Sequence, residues 1–352
     1  MKQMLRYIPV VIFTWLMIAP GMTTLGGNKD RSGEAGASEL LINPWARSAG
    51  WGGVNTANIK GVESMFTNIA GTAFINRTDI TFGHTTWLKG SDINIYSFGL
   101  VQKIGQSGAL GIGVMSMSFG DIPITTVNLP EGGIGTFSPS LLNFALSYSR
   151  MFSNSIYGGL QLKVVSESIS DISAVGFAID AGIQYVTGET DNIHFGITLR
   201  NWGPTMRFSG DGLAIRTLLP GQESQFTVEQ RAAAYQLPSQ LNIGAAYDIN
   251  FKGDYRLTFA ANFVSNAFAK DQITGGLEFS LKDYLVLRGG YTYEDGITED
   301  ADRTTVFTGP SAGFSVQIPL KKDSDSKFYV DYSYTDTDPF DGVHRIGAGI
   351  SF

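Results

Sequence analysis

From residue 78 onward, apolar residues recur at every second position in runs of eight to twelve residues, separated by polar connections. In residues 255–263, Tyr255, Leu257, Phe259, Ala261 and Phe263 take one side, and Arg256, Thr258, Ala260 and Asn262 take the other. Residues 193–200 divide the same way, with Ile193, Phe195, Ile197 and Leu199 opposed to His194, Gly196, Thr198 and Arg200. Period two is the signature of an extended strand with two unlike faces. The spacing predicts fourteen strands, near residues 78–87, 93–103, 108–119, 141–151, 155–167, 174–187, 192–200, 239–249, 255–264, 271–281, 284–293, 311–320, 327–335 and 343–352.

Alternation also suits a soluble sandwich with one wet face, so the connections must separate the two readings. Every second connection is short, as at residues 105–107, 153–154, 188–191, 251–254, 282–283 and 321–326. The others are longer on average and polar, above all residues 120–140, 201–239 and 294–310. An even strand count with turns sorted from loops fits a bacterial outer-membrane barrel, which keeps turns in the periplasm and loops outside. A Greek-key sandwich has no reason to sort its connections. The expected fold is therefore all-β: a transmembrane antiparallel β-barrel of about fourteen strands, over residues 78–352 and in contact with outer-membrane lipid.

The aromatics agree, because Tyr247, Tyr255, Tyr291, Tyr293, Tyr332, Tyr334 and Phe352 cluster toward strand ends, where interfacial girdles belong. The last predicted strand ends on Phe352, with Ile346, Ala348 and Ile350 on the same face, and resembles the sorting strand of outer-membrane proteins. Ahead of the barrel, Lys2 and Arg6 precede an apolar run over residues 7–18 and small residues over 21–27, the layout of a signal peptide over residues 1–26. Residues 27–77 have a different texture, rich in small residues, with an amphipathic helix expected over residues 58–66. A fourteen-strand barrel is too wide for its own side chains to fill, so its lumen holds water or a plug, and residues 27–77 are the candidate plug. The mature N-terminus and Phe352 are both expected on the periplasmic side.

Composition narrows the classes further. Charged residues are 16% of the chain, against roughly 25% in soluble domains. No apolar run after the first 20 residues is long enough for a spanning helix, which leaves strands as the membrane element. A net charge of −7 offers nucleic acid no footprint. With no cysteine there is no disulfide, thiolate metal site or Cys nucleophile.

The stretch from Leu41 through Asn43, Pro44, Trp45, Ala46, Arg47, Ser48, Ala49, Gly50, Trp51, Gly52 and Gly53, with the later block Asn68, Ile69, Ala70, Gly71, Thr72 and Ala73, resembles the N-terminal motif of the PorV/PorQ family. Trp45 and Ile69 depart from that motif. Asn201, Trp202, Gly203 and Pro204 resemble the family's middle region. The resemblance implies a barrel like the FadL fatty-acid transporter, working in type IX secretion of Bacteroidetes. Its implied partners are translocon subunits or secreted cargo, met through the extracellular loops. The alternative it leaves open is a FadL-like channel for small hydrophobic compounds.

Candidate chemistry is sparse. The three histidines, His84, His194 and His344, lie on three different predicted strands, in no hydrolase or zinc motif, so no catalysis, metal or cofactor is expected. Residues 336–342 carry three aspartates but have Phe340 at the fifth position and no closing Glu, which suits a solvated loop better than a calcium site. An ion facing lipid at mid-depth costs about 2–4 kcal/mol, so Lys163, Asp180, Arg200, Arg256, Glu278, Arg288, Asp331 and Arg345 are expected to point into the lumen. There they either tie plug and strands together or line a conducting constriction. In the longest loop, Trp202, Leu213, Ile215, Leu218 and Leu219 are the candidate partner-binding residues.

Overall fold

The computed structural model describes residues 31–218, 221, 224–252, 254–282, 284–320 and 326–352. The predicted signal peptide lies outside these residues. Eighteen strands form among them: β1 (Thr78–Trp87), β2 (Ile93–Ile104), β3 (Gly108–Ser118), β4 (Ile122–Pro123), β5 (Thr136–Phe137), β6 (Ser140–Met151), β7 (Ile156–Ile169), β8 (Ile172–Thr187) and β9 (Ile193–Trp202), followed by nine more. These are β10 (Ala214–Leu218), β11 (Gln225–Glu229), β12 (Gln240–Phe251), β13 (Tyr255–Asn266), β14 (Gln272–Leu281), β15 (Leu285–Glu294), β16 (Phe307–Pro319), β17 (Lys327–Thr337) and β18 (Val343–Ser351). Fourteen of them close an antiparallel barrel, and the pairs β4–β5 and β10–β11 are separate hairpins inside two loops. The fourteen correspond one for one to the predicted strands, with ends shifted by a few residues.

Closure is made by β1 against β18, paired from Asp79↔Ser351 to Thr86↔His344. The backbone N–H of Phe352 then donates to the Thr78 carbonyl at 2.8 Å, which brings the start and end of the barrel together at the turn end. The wall has a soluble protein's faces reversed. Leu160, Leu162, Val175, Phe177 and Ile183 are exposed on the outside, while Gln161, Lys163, Asp180 and Gln184 between them are buried inside. One loop departs from the expected length: β7 and β8 are joined by Ser170 and Asp171 alone, with Ser170 at φ 49°. Both strands run further than the apolar pattern because Ser166, Ser168 and Ser173 extend the ladder with polar residues.

Residues 38–76 lie inside the barrel and circle its wall. The expected helix over 58–66 does not form; the segment makes short helical turns at Ser38–Leu41, Ala46–Ala49, Asn55–Ala57, Ser64–Thr67 and Ile69–Phe74. Hydrophobic contact with the wall replaces helical hydrogen bonding as the organising force. Trp45, Val62, Met65 and Ile69 pack against Val101, Ala109 and Ala145, and Trp51, Val54 and Ala57 pack against Ala246 and Ala260.

The approach is close because the wall has no side chains at the contact positions. A Cβ on Gly290 would lie 2.3 Å from the Trp51 carbonyl oxygen, and one on Gly196 would lie 2.3 Å from that of Thr56. A Cβ on Gly99 would meet Val62 at 2.2 Å, and one on Gly313 would meet the Gly50 Cα at 2.9 Å. These glycines occupy inward positions of β15, β9, β2 and β16, and without a Cβ each admits backbone or side chain at contact distance.

The expected mature N-terminus, near residue 27, lies outside the described residues. Residues 31–37 sit at the loop end, where Ala35 bridges Gln236 and the Arg31 guanidinium lies 4.3 Å from the Phe268 ring centre. The segment then passes down the lumen and leaves at the turn end into β1. The described N-terminal residues and Phe352 are thus at opposite ends, because the barrel is threaded by the segment rather than stoppered from below.

The Gly290→Val variant should displace the segment at Trp51, since overpacking of this kind typically costs about 1–3 kcal/mol and the obstacle here is backbone. Faster trypsin cleavage at Arg47 in the folded, heat-modifiable barrel is the expected result.

Candidate functional site

Two regions concentrate the chemistry: the lumen network that holds the N-terminal segment, and the loop end. In the lumen, Arg47 reaches Asp331 on β17, Nη2 to Oδ2 at 3.2 Å, and its guanidinium stacks 4.4 Å from the Tyr329 ring centre. Tyr329 donates its hydroxyl to Asp79 Oδ1 at 2.9 Å, and the other Asp79 oxygen accepts the Val62 N–H at 2.9 Å. Arg345 donates Nε–H to the Asn43 carbonyl at 2.8 Å, and Arg200 donates to the Leu40 carbonyl at 3.2 Å. Gln161 and Asn68 add a bond each, Gln161 to the Met65 carbonyl at 2.8 Å and Asn68 to the Ile183 carbonyl at 3.0 Å. Two wall arginines therefore clasp the segment through its backbone oxygens, and the segment's own Arg47 grips a wall carboxylate.

The remaining lumen charges cross the wall itself. Lys163 meets Asp180 at 2.5 Å, and Asp180 also accepts the Asn201 N–H at 2.7 Å. Glu278 takes Arg288 at 2.7 Å and Arg256 at 3.2 Å. All eight residues expected to face inward do so, but they form separate groups. Arg200, Asp331 and Arg345 engage the segment, and Lys163, Asp180, Arg256, Glu278 and Arg288 tie strands together. Arg47, Glu63, Asp79 and Tyr329 were not singled out from sequence. A charged Arg47 amid small residues that pack is the available signal, since a buried cation demands a partner.

The histidines do not converge. His194 faces the lumen with Nε2 3.1 Å from Asp248, whereas His84 and His344 face outward beside Tyr96 and Tyr332. Among the described residues no three His, Asp or Glu side chains gather as a metal site.

At the loop end, residues 203–239 are built onto the barrel. Met206 is buried against Gly176, Ser209 bridges Ser173, and Tyr235 donates its hydroxyl to Glu167 on β7. Beyond this base β10 and β11 project outward. Ile215 and Leu218 are exposed there and Leu213 is half-buried, whereas Trp202, expected in the loop, is the last residue of β9 and is exposed on the outer face of the wall opposite Ile179. Leu219 lies outside the described residues. A second apolar tip rises from residues 119–139, where Val127, Leu129 and Ile134 are exposed. Across the mouth, residues 295–306 and 338–342 are joined by Arg303, which pairs with Asp300 and Asp338.

The family model for type IX secretion system membrane protein PorP/SprF matches residues 78–338. The chain belongs to the PorP/SprF family. It is an outer-membrane component of type IX secretion, and loop end and turn end are accordingly extracellular and periplasmic. The match starts at the first barrel strand, so it does not include the stretch at residues 41–73 that resembles PorV/PorQ, and the branch it names is a different one. Two solved barrels share the fold. The Pseudomonas putida toluene transporter TodX is 13% identical, covering 88% of this chain and 98% of its own, with a TM-score of 0.57. The Ralstonia pickettii toluene transporter TbuX is 12% identical, covering 88% and 97%, with a TM-score of 0.53. A search of curated protein sequences finds no match. A type IX secretion membrane family is non-enzymatic in kind.

In this PorP/SprF-family barrel, breaking the buried pair should loosen the segment without opening the wall. Arg47→Ala leaves Asp331 buried and uncompensated, a change that costs about 3–5 kcal/mol in comparable sites. Protection of residues 45–65 against hydrogen exchange should fall while the barrel ladder keeps its own.

Acid should tighten the extracellular end of the same segment. Burial first, and the Glu167 carboxylate second, push the Glu39 carboxyl from its ordinary 4.5 up to about 7. The docked segment then holds a proton that a free segment releases, so docking is strongest below pH 4.5 and weakens as pH rises through 7. Exchange protection of residues 38–41, compared at pH 5 and pH 8, should be greater at pH 5, and Glu39→Gln should flatten the difference.

Proposed function

We propose that this barrel receives a secreted protein, or a translocon subunit that delivers one, on its extracellular loops, with the lumen kept shut by residues 38–76. One observation carries the reading: the lumen holds a segment bound by Arg200 and Arg345 of the wall and by its own Arg47, while the apolar surface outside the lipid belt is presented at the loops. A channel for solutes needs a path through the lumen, and a receiving platform needs an exposed contact surface. In this reading the PorV/PorQ-like stretch at residues 41–73 closes the barrel. Leu213, Ile215 and Leu218, on the loop above the wall, belong to the receiving surface, while Arg200, Asp331 and Arg345 keep plug and wall together and the other five lumen charges brace the strands.

The second reading is a channel for small hydrophobic compounds. It is favoured by the fold shared with two barrels described as toluene transporters. Under that reading the N-terminal segment is a gate that must yield to solute.

Shortening residues 203–239 should abolish co-purification of the secreted partner while leaving a heat-modifiable barrel, because the closed ladder carries the stability and loops tolerate change. The intact protein should show no large conductance in planar bilayers, and deleting residues 38–73 should produce one. A large open conductance in the intact protein, with no protein recovered after crosslinking, overturns reception in favour of transport.

A further inference from the structure

The β10–β11 hairpin is an incomplete sheet. Among the described residues its strands pair only with each other, from Ala214↔Glu229 to Leu218↔Gln225, which leaves both outer edges open to a further strand. A two-stranded hairpin is marginal in water unless something holds it or a further strand joins it. Here the base is held. Ser173 and Ser209 exchange two backbone bonds of 2.9 Å, Met206 and Tyr235 exchange two more of 2.9 Å, and Gln230 continues the ladder onto the Leu213 carbonyl at 2.9 Å. Above that base, the described residues of β10 and β11 join no other strand.

The two faces of the hairpin differ. Ile215 opposite Val228, and Thr217 opposite Phe226, make one side, on which Ile215 is 51% and Phe226 39% exposed. The other side is mixed, with Arg216, Glu229, Thr227 and Gln225 beside Ala214 and an exposed Leu218. An apolar face with open edges, fixed in position before anything binds, is the geometry of strand addition, where backbone bonds supply affinity and alternate side chains supply selectivity.

The rest of the mouth states what should accompany that strand. Across the lumen, Asp295, Glu299, Asp300, Asp302, Asp338 and Asp341 are exposed on two joined loops, with Lys270 and Arg303 as the cations among them. A surface approaching this mouth is selected for positive charge on that side.

We propose that β10–β11 is the docking edge for an extended segment of the arriving protein. That segment alternates apolar side chains along the Ile215–Phe226 face, and the adjoining surface is basic and lies over the acidic loops. This rests on the reception reading and says how the partner is held.

The test uses the full barrel in nanodiscs and a synthetic peptide with an alternating valine–threonine strand and a lysine-rich tail. Binding by microscale thermophoresis should be salt-sensitive and weaker by at least about tenfold for a peptide N-methylated along its strand, which cannot pair through its backbone. The Ile215→Ser, Phe226→Ser variant should lose about as much. A glutamate-tailed peptide should bind less well to the wild-type barrel, and Glu299→Gln, Asp302→Asn should narrow that difference.

Equal binding of the N-methylated peptide, or full binding by the hairpin variant, overturns strand docking. So does light scattering that shows a dimer of the barrel abolished by the hairpin variant, which would make a second copy the occupant. If these results come while loop shortening still removes the secreted partner, reception stands and only its mode fails.

Discussion

The structure depends on how an over-wide lumen is filled. Fourteen strands enclose more space than their own inward side chains occupy, and an empty polar lumen of that width would be a pore. The chain solves this by drawing its N-terminal segment through the barrel and letting the backbone touch the wall. That contact needs wall positions without Cβ atoms, which is why Gly99, Gly196, Gly290 and Gly313 stand at inward positions where the segment passes. The abundance of glycine is therefore a packing property of the lumen, beyond what the turns require.

Once backbone lies against backbone, the segment's carbonyls need donors, because buried carbonyl groups are costly without them. The wall supplies these with long side chains that reach over the glycines. Arg200 reaches Leu40, Arg345 reaches Asn43, and Gln161 reaches Met65. Arg47 reverses the direction and projects from the segment to Asp331. Lipid outside forbids charge, so the wall's ionic side chains accumulate inside, where they are available for this second task.

The same asymmetry separates lumen from mouth. Within the barrel, polar groups hold the segment and brace strands, and beyond the wall the loops expose apolar side chains such as Val127, Ile215 and Leu218. The longest loop is docked at its base through Met206, Ser209 and Tyr235 and free above it. Tyr235 also overlies Gly36, and its hydroxyl bonds Glu167 near Glu39. The longest loop and the top of the lumen segment are thus in direct contact.

The sequence by itself determined the barrel. A period-two pattern against lipid has one solution for each strand, since a one-residue slip turns its charges to the bilayer, and the sorted connections fixed the strand order. For the same reason the inward direction of Lys163, Asp180, Arg200, Arg256, Glu278, Arg288, Asp331 and Arg345 was legible. What the sequence left undecided was everything without a period. The path of residues 31–76, their entry at the loop end, the failure of residues 58–66 to form a helix, and the pairing of Arg47 with Asp331 rest on contacts between residues far apart in the chain. A segment of small residues has weak local preference, so its shape is that of the cavity it fills, and only the closed barrel defines that cavity.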